Sequence, residues 1–278
     1  MHDDARFADA LALAALWHGG QLRKGTSVPY VSHLLSVCTL VLDDGGDDDE
    51  AIAALLHDAI EDTEHTAAEI AERFGERVSE IVVACTDADP PPGERKPPWK
   101  PRKDTYIAHL ASAADDPGII RVSAADKLAN VRTILADHGK GAPGLWDRFK
   151  GGLGGSVWYY RELAAVLTRA QPGGHLTGQL RQEVELLTAV AVAVAERLEG
   201  SPEAISDVLN QLDAPLSSDS AEPWLALELA RRLALRGAPW PASEPLVVDE
   251  VVRDVMDRWY RSEVSPEAVT ALVERLTR

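Results

Sequence analysis

Apolar residues recur at helical spacing along almost the whole chain, and no stretch alternates convincingly with a period of two. Phe7, Leu11, Ala14, Ala15 and His18 make one stripe; His33, Val37, Leu40 and Val41 make another. Residues three and four apart share a face of an α-helix, so each stripe predicts a helix with one side turned to a core. Thr66 followed by Glu69 is a capping box, which predicts a helix from there to about Phe74, and Gly75 suits its exit. The pattern as a whole predicts an all-α fold.

Breaks in the pattern divide the chain. Residues 87–103 (DADPPPGERKPPWKPRK) read as a Pro-rich, basic loop that cannot be helical, and loops of that length within a domain are often functional. Gly-rich turns at 139–144 and 151–155 separate further helices, and a break at 171–174 precedes a strongly apolar helix around 184–196. A polar segment at 213–222 leads into a tail with helices expected near 223–236, 246–262 and 266–277. The expected organisation is a main domain over residues 1–200 and a helical appendage over 201–278, with no internal repeat.

Composition narrows the class. The 278 residues are 45% apolar, enough for a full core and unlike a disordered chain. No run of 18 apolar residues exists, and the opening MHDDARFADA is acidic, without the basic start and apolar centre of a signal peptide. A soluble cytoplasmic protein without a membrane partner is expected. Cys38 and Cys85 each lie on an apolar helical stripe, so two buried thiols are expected rather than a disulfide or a thiolate metal site. The net charge of −17 argues against a nucleic-acid polymer as partner. It still permits a small phosphorylated substrate, because a metal and a few local cations overcome the mean field. Such cations cluster at Arg23 and Lys24, and again at Arg95, Lys96, Lys100, Arg102 and Lys103.

The chemistry concentrates in ALLHDAIEDT, residues 54–63. His57 and Asp58 interrupt an apolar helical stretch, where charged groups are costly unless paired or bound to metal. On a continuous helix, His57 and Glu61 lie one turn apart, as do Asp58 and Asp62, so four polar groups face one region. His33 opens the apolar stripe after the VPY turn. In SAADKLANVRT, Asp126, Asn130 and Thr133 fall on one helical face. Two imidazoles and two carboxylates suit Mn²⁺, Fe²⁺ or Zn²⁺ better than calcium, and leave room for water and a phosphate oxygen. Glu61 and Asp62 lie close enough to orient that water and take its proton.

Across residues 5–170 the chain resembles the hydrolase domain of the RelA/SpoT family, which removes pyrophosphate from the 3′ position of the alarmone (p)ppGpp using Mn²⁺. The resemblance is carried, in order, by HGGQLRKGTSVPYVSH (18–33), AALLHDAIEDT (53–63), FGERVSEIVVACTD (74–87) and ADKLANVRT (125–133). It implies an all-α HD-domain helical bundle, with His33, His57, Asp58 and Asp126 as metal ligands and Glu61 and Asp62 handling water. It further implies that Arg23 packs on the guanine and Asn130 contacts the nucleoside. Lys24 is electrostatically suited to phosphate, and Thr133 joins the substrate-binding set. Where the family usually reads Arg–Leu–His–Asn after the last metal ligand, this chain reads Lys127, Leu128, Ala129, Asn130. The segment after Thr86 and Asp87 is replaced by the long Pro-rich stretch.

The resemblance implies a stand-alone alarmone hydrolase giving GDP or GTP and pyrophosphate. Two other readings keep the same residues: hydrolysis of another nucleotide such as (p)ppApp or NADPH, or a non-catalytic nucleotide sensor. The pair Glu61 and Asp62 speaks against a sensor, which has no need of groups that activate water. Homo-oligomerisation stays open at this point, as does the role of 201–278.

Overall fold

A computed structural model describes residues 4–87, 97–142 and 144–198, and among these it is helical without a strand. The expected all-α class is borne out. Among the described residues ten α-helices follow one another: α1 (Asp4–Trp17), α2 (Val31–Asp43), α3 (Asp48–Leu56), α4 (Ala59–Asp62), α5 (Ala67–Phe74), α6 (Glu76–Cys85), α7 (Trp99–Ser112), α8 (Pro117–Gly139), α9 (Gly152–Ala170) and α10 (His175–Leu198). The tail helices expected beyond 201, and Arg95 and Lys96, lie outside the described residues.

Helix α3 is the axis of the first compact unit, and its residues Ala51 through Leu56 are all buried. It can be apolar all round because α1, α2, α6 and α8 pack against it. Asp47 caps its start by accepting from the Glu50 backbone, while the Glu50 side chain accepts from the Asp47 N–H, a complete capping box. Glu50 is itself buried, and Arg121 balances its charge with an ion pair at 2.5 Å. The capping box at Thr66 and Glu69 forms as expected, and Gly75 ends α5 with φ at +92°. On α1 the buried face is Ala10, Leu13 and Ala14, and Ala15 turns outward. On α2 the expected stripe is buried at His33, Val37 and Val41, joined by Leu34 and Cys38. Both cysteines are free and buried.

Helix α8 starts on Asp116, which accepts from the N–H groups of Gly118 and Ile119 and is gripped by both terminal nitrogens of Arg77 at 2.7 Å. Pro117 follows at the first helical position, where its missing N–H costs nothing.

Two readings of the sequence are corrected. Residues 99–103 are not loop: α7 begins at Trp99, and Pro101 lies in its first turn, where proline is tolerated. Residues 152–155 are likewise the first turn of α9 rather than a turn between helices. In the second compact unit, formed among the described residues by Pro98–Pro101, Phe149–Trp158 and residues 186–198, Gly151 and Gly155 have a packing role. A Cβ on Gly151 or Gly155 would come within 2.7 or 3.0 Å of the Trp99 ring.

Candidate metal centre

His33, His57, Asp58 and Asp126 belong to three different parts of the first unit and converge. His33 stands in the first turn of α2 and Asp126 in the middle of α8. His57 and Asp58 form the joint between α3 and α4. The continuous helix expected through this dyad is not present. Asp58 has φ −99° and ψ 1°, which ends α3 and swings its carboxylate back beside the His57 ring. A straight helix would send adjacent side chains roughly 100° apart; the break is what lets both reach one point.

The resulting distances are tight. His57 Nε2 lies 2.9 Å from Asp58 Oδ2 and 3.6 Å from Asp126 Oδ1, and His33 Nε2 lies 3.1 Å from Asp126 Oδ1 and 3.7 Å from Asp58 Oδ2. Metal–ligand bonds of about 2.0–2.2 Å put neighbouring ligand atoms roughly 3 Å apart, so this spread suits a shared cation. His57 Nε2 is buried and makes no hydrogen bond of ordinary geometry, even with two carboxylates beside it. Its other ring nitrogen, Nδ1, donates to the Ala54 carbonyl at 2.9 Å, which leaves Nε2 as the ligating lone pair. His33, His57 and Asp58 could together hold a divalent metal, and Asp126 lies beside both imidazoles.

Their electrostatics point the same way. Burial opposes a charged imidazole at His57, but the carboxylates of Asp58 and Asp126 outweigh it and raise its pKa well above the usual histidine value. Burial also opposes charge on Asp58 and Asp126, yet His57 holds Asp58 below the ordinary carboxylate range, and Lys127 with the two imidazoles does so for Asp126. Without metal the cluster is thus held together by a proton, which a divalent cation would displace.

Supporting contacts fix each carboxylate. The Tyr30 hydroxyl donates to Asp58 Oδ2 at 2.6 Å. Burial and the adjacent Asp58 push the Tyr30 pKa far upward, so it remains a donor. Asp126 Oδ2 accepts from Lys127 Nζ at 2.6 Å and Oδ1 from Asn130 Nδ2 at 2.6 Å. Lys127 also lies over the Tyr106 ring, 4.8 Å from its centre.

Glu61 and Asp62 sit on the single turn of α4, beside the dyad. Asp62 is exposed and accepts from Gln21 Nε2 at 2.9 Å; Glu61 accepts from the Asp87 N–H at 3.4 Å. Arg23 reaches Asn130, donating to Oδ1 at 3.2 Å. The turn bearing Arg23 is pinned by Arg23 N–H to Val28 O at 2.8 Å and Tyr30 N–H to Gln21 O at 2.9 Å. At its tip Gly25 adopts φ +71°, and a Cβ there would meet Arg148 at 2.7 Å. Lys24 is exposed on the same turn. Thr133 donates its hydroxyl proton to the Ala129 carbonyl at 2.9 Å, within its own helix. Of the basic cluster, Arg102 and Lys103 both pair with Asp87. Tyr159 and Tyr160 are buried core residues. Tyr30, Gln21 and Lys127 were not singled out from sequence for their roles here; all three lie inside the quoted motifs, but nothing in their spacing says which carboxylate each would hold.

The fold and this site define an HD-domain protein, and residues 10–143 match the HD domain family. The chain belongs to the HD-domain family that contains the stand-alone MESH1 proteins. It is 30% identical over 172 residues to the human guanosine-3′,5′-bis(diphosphate) 3′-pyrophosphohydrolase MESH1, covering 61% of this chain and 86% of that protein. It is 41% identical over 118 residues to the guanosine-3′,5′-bis(diphosphate) 3′-pyrophosphohydrolase of Aquifex aeolicus, which is 42% of this chain but 16% of that much longer relative. A solved structure of a metazoan ortholog of SpoT that hydrolyzes ppGpp and plays a role in starvation responses aligns with a TM-score of 0.53 at 25% identity, over 67% of this chain and 97% of that one. No described helix is long and apolar enough to cross a membrane.

Proposed function

We propose that this chain is a metal-dependent hydrolase of (p)ppGpp-like alarmones, releasing the 3′-pyrophosphate and leaving GDP or GTP. The observation that carries the reading is the convergence of His33, His57, Asp58 and Asp126 with Glu61 and Asp62 alongside, in a chain whose relatives bear the name of that activity. Mn²⁺ is the proposed ion on the resemblance to the RelA/SpoT hydrolase domain; two imidazoles with two carboxylates suit Fe²⁺ or Zn²⁺ as well. When bound, such an ion acidifies water and offsets charge developing on phosphorus.

The remaining work falls to the chain. With a metal bound, His57 would present its Nε2 lone pair while Nδ1 stays on the Ala54 carbonyl, and Tyr30 keeps Asp58 turned inward. Glu61 and Asp62 stand outside the ligand set, where they orient the attacking water and accept its proton. Arg23 offers a flat guanidinium for a purine to stack on, and Asn130 a polar contact for the ribose. Lys24, exposed beside Arg23, supplies positive charge for phosphate that the −17 chain otherwise repels. Attack by water at the 3′-proximal phosphorus breaks its bond to the ribose 3′-oxygen, which leaves with GDP or GTP, while the outer phosphate stays on the attacked phosphorus, so the product is pyrophosphate.

The test is a panel of ppGpp, ppApp and NADPH incubated with the Mn²⁺-loaded chain, with products separated by chromatography. Pyrophosphate and GDP from ppGpp are expected. Orthophosphate as the sole product, or turnover of NADPH with none of any 3′-pyrophosphorylated nucleotide, would overturn the assignment.

A further inference from the structure

A line of polar contacts runs from the turn that bears Arg23 into the ligand set. Arg23 Nη2 donates to Asn130 Oδ1 at 3.2 Å, and Asn130 Nδ2 donates to Asp126 Oδ1 at 2.6 Å. That oxygen is the one 3.1 Å from His33 Nε2 and 3.6 Å from His57 Nε2, so it is the ligating one. The other oxygen of Asp126 is taken by Lys127 at 2.6 Å.

The two ends of an asparagine amide are not equivalent, and arginine can only donate. Contact with Arg23 therefore requires the carbonyl end of Asn130 to face outward and the NH₂ end to face Asp126. Reversed, the amide would set its oxygen against a carboxylate that is 5% exposed, a repulsion poorly screened in a buried site. Arg23 thus reinforces the amide orientation that the Asp126 carboxylate itself favours, and anchors the amide from its outer end.

Building on the metal-centre reading above, we infer that Asn130 is a positioning residue for Asp126, anchored by Arg23, so that the side chain proposed to face the nucleotide also sets the affinity for the metal. A purine stacked on the guanidinium plane leaves its in-plane N–H groups free. The contact to Asn130 then persists, and immobilising Arg23 strengthens it. By thermodynamic linkage, metal and nucleotide reinforce one another.

Arg23 has two effects on a cation in this pocket, and they differ in sign. Its positive charge repels the ion, so by charge alone its removal tightens metal binding. As the residue that anchors Asn130, its removal loosens metal binding. The experiment is a titration of the full, nucleotide-free chain with Mn²⁺ against a chelating competitor, for wild type, Arg23→Met, Arg23→Lys, Asn130→Ala and the Arg23→Met/Asn130→Ala double variant. Asn130→Ala is expected to weaken Mn²⁺ binding about tenfold or more, the usual cost of losing a contact that orients a ligand. Arg23→Met weakens it by a smaller factor, and Arg23→Lys, which keeps a donor, lies nearer wild type. The double variant is no weaker than Asn130→Ala alone, because Arg23 acts through Asn130.

Tighter binding in Arg23→Met, fully additive losses, or wild-type affinity in a folded Asn130→Ala each overturns the inference. Should Asn130→Ala not fold, the sign of the Arg23→Met change decides alone. No substrate enters the titration. Failure to turn over ppGpp therefore leaves its outcome intact, whereas a wild-type chain that binds no Mn²⁺ strikes at the metal-centre reading itself.

Discussion

The ligand quartet and the Glu61–Asp62 pair are neighbours, yet they are held in different ways. His33, His57 and Asp126 are buried, and Tyr30, Ala54, Asn130 and Lys127 fix the orientation of Asp58, His57 and Asp126 through contacts of 2.6–2.9 Å. Asp62 is exposed and meets an amide on the Gln21 side chain, and Glu61 meets a backbone N–H at 3.4 Å. The difference follows from the tasks proposed for the two groups. A cation needs its ligands preorganised, since each badly placed donor lowers affinity directly. A group that exchanges protons with water and substrate has to remain reachable.

The comparison can be broken by substitution. His57→Ala or Asp58→Ala is expected to abolish both bound metal and turnover, because each removes a proposed ligand. Full metal occupancy in the double variant, by elemental analysis, would end the assignment. Glu61→Gln and Asp62→Asn should leave metal content nearly unchanged and lower turnover by ~10²–10⁴-fold. Near-normal rates in both would mean that the metal alone activates the water.

Acidity sharpens the contrast. Burial and then the two carboxylates act on His57, with a net upward shift, so below its raised folded pKa the imidazole binds a proton that metal must displace. Apparent Mn²⁺ affinity should therefore climb with pH by up to about tenfold per unit, levelling off once pH passes that folded value. For the metal-free chain the signs reverse. The His57 contribution to stability is full below about 6.5, its usual unfolded value, and is lost as pH rises through the raised one. The depressed Asp58 and Asp126 contribute above about 3.9 and lose that contribution as pH falls through their folded values. Calorimetry in buffers of different ionisation enthalpy measures the proton release; a pH-independent affinity would contradict the buried ion pairs.

The smallest effect belongs far from the site. Thr66→Ala removes the capping oxygen of α5 and should cost about 1 kcal/mol of stability, read as a lower melting temperature, with metal affinity unchanged.

Much of this was legible from residue order. Helical periodicity is a local property, so the all-α class, the capping box at Thr66 and Glu69, the exit at Gly75 and the two buried thiols could be read directly. The chemistry of the site was legible too, because a His–Asp pair inside an apolar stretch has few inexpensive explanations. Three-dimensional packing decided what local rules could not. The break between α3 and α4 at Asp58 carries no proline or glycine to announce it, and beside it Asp58 lies near His33 of α2 and His57 near Asp126 of α8. By local rules Pro101 breaks a helix, yet in a first turn its missing N–H has no intrahelical partner to lose. The pairing of Arg23 with Asn130 spans 107 positions, and that of Gln21 with Asp62 spans 41. Hydrogen bonds at such separations are set by how helices pack, and a single sequence carries no local signal of them.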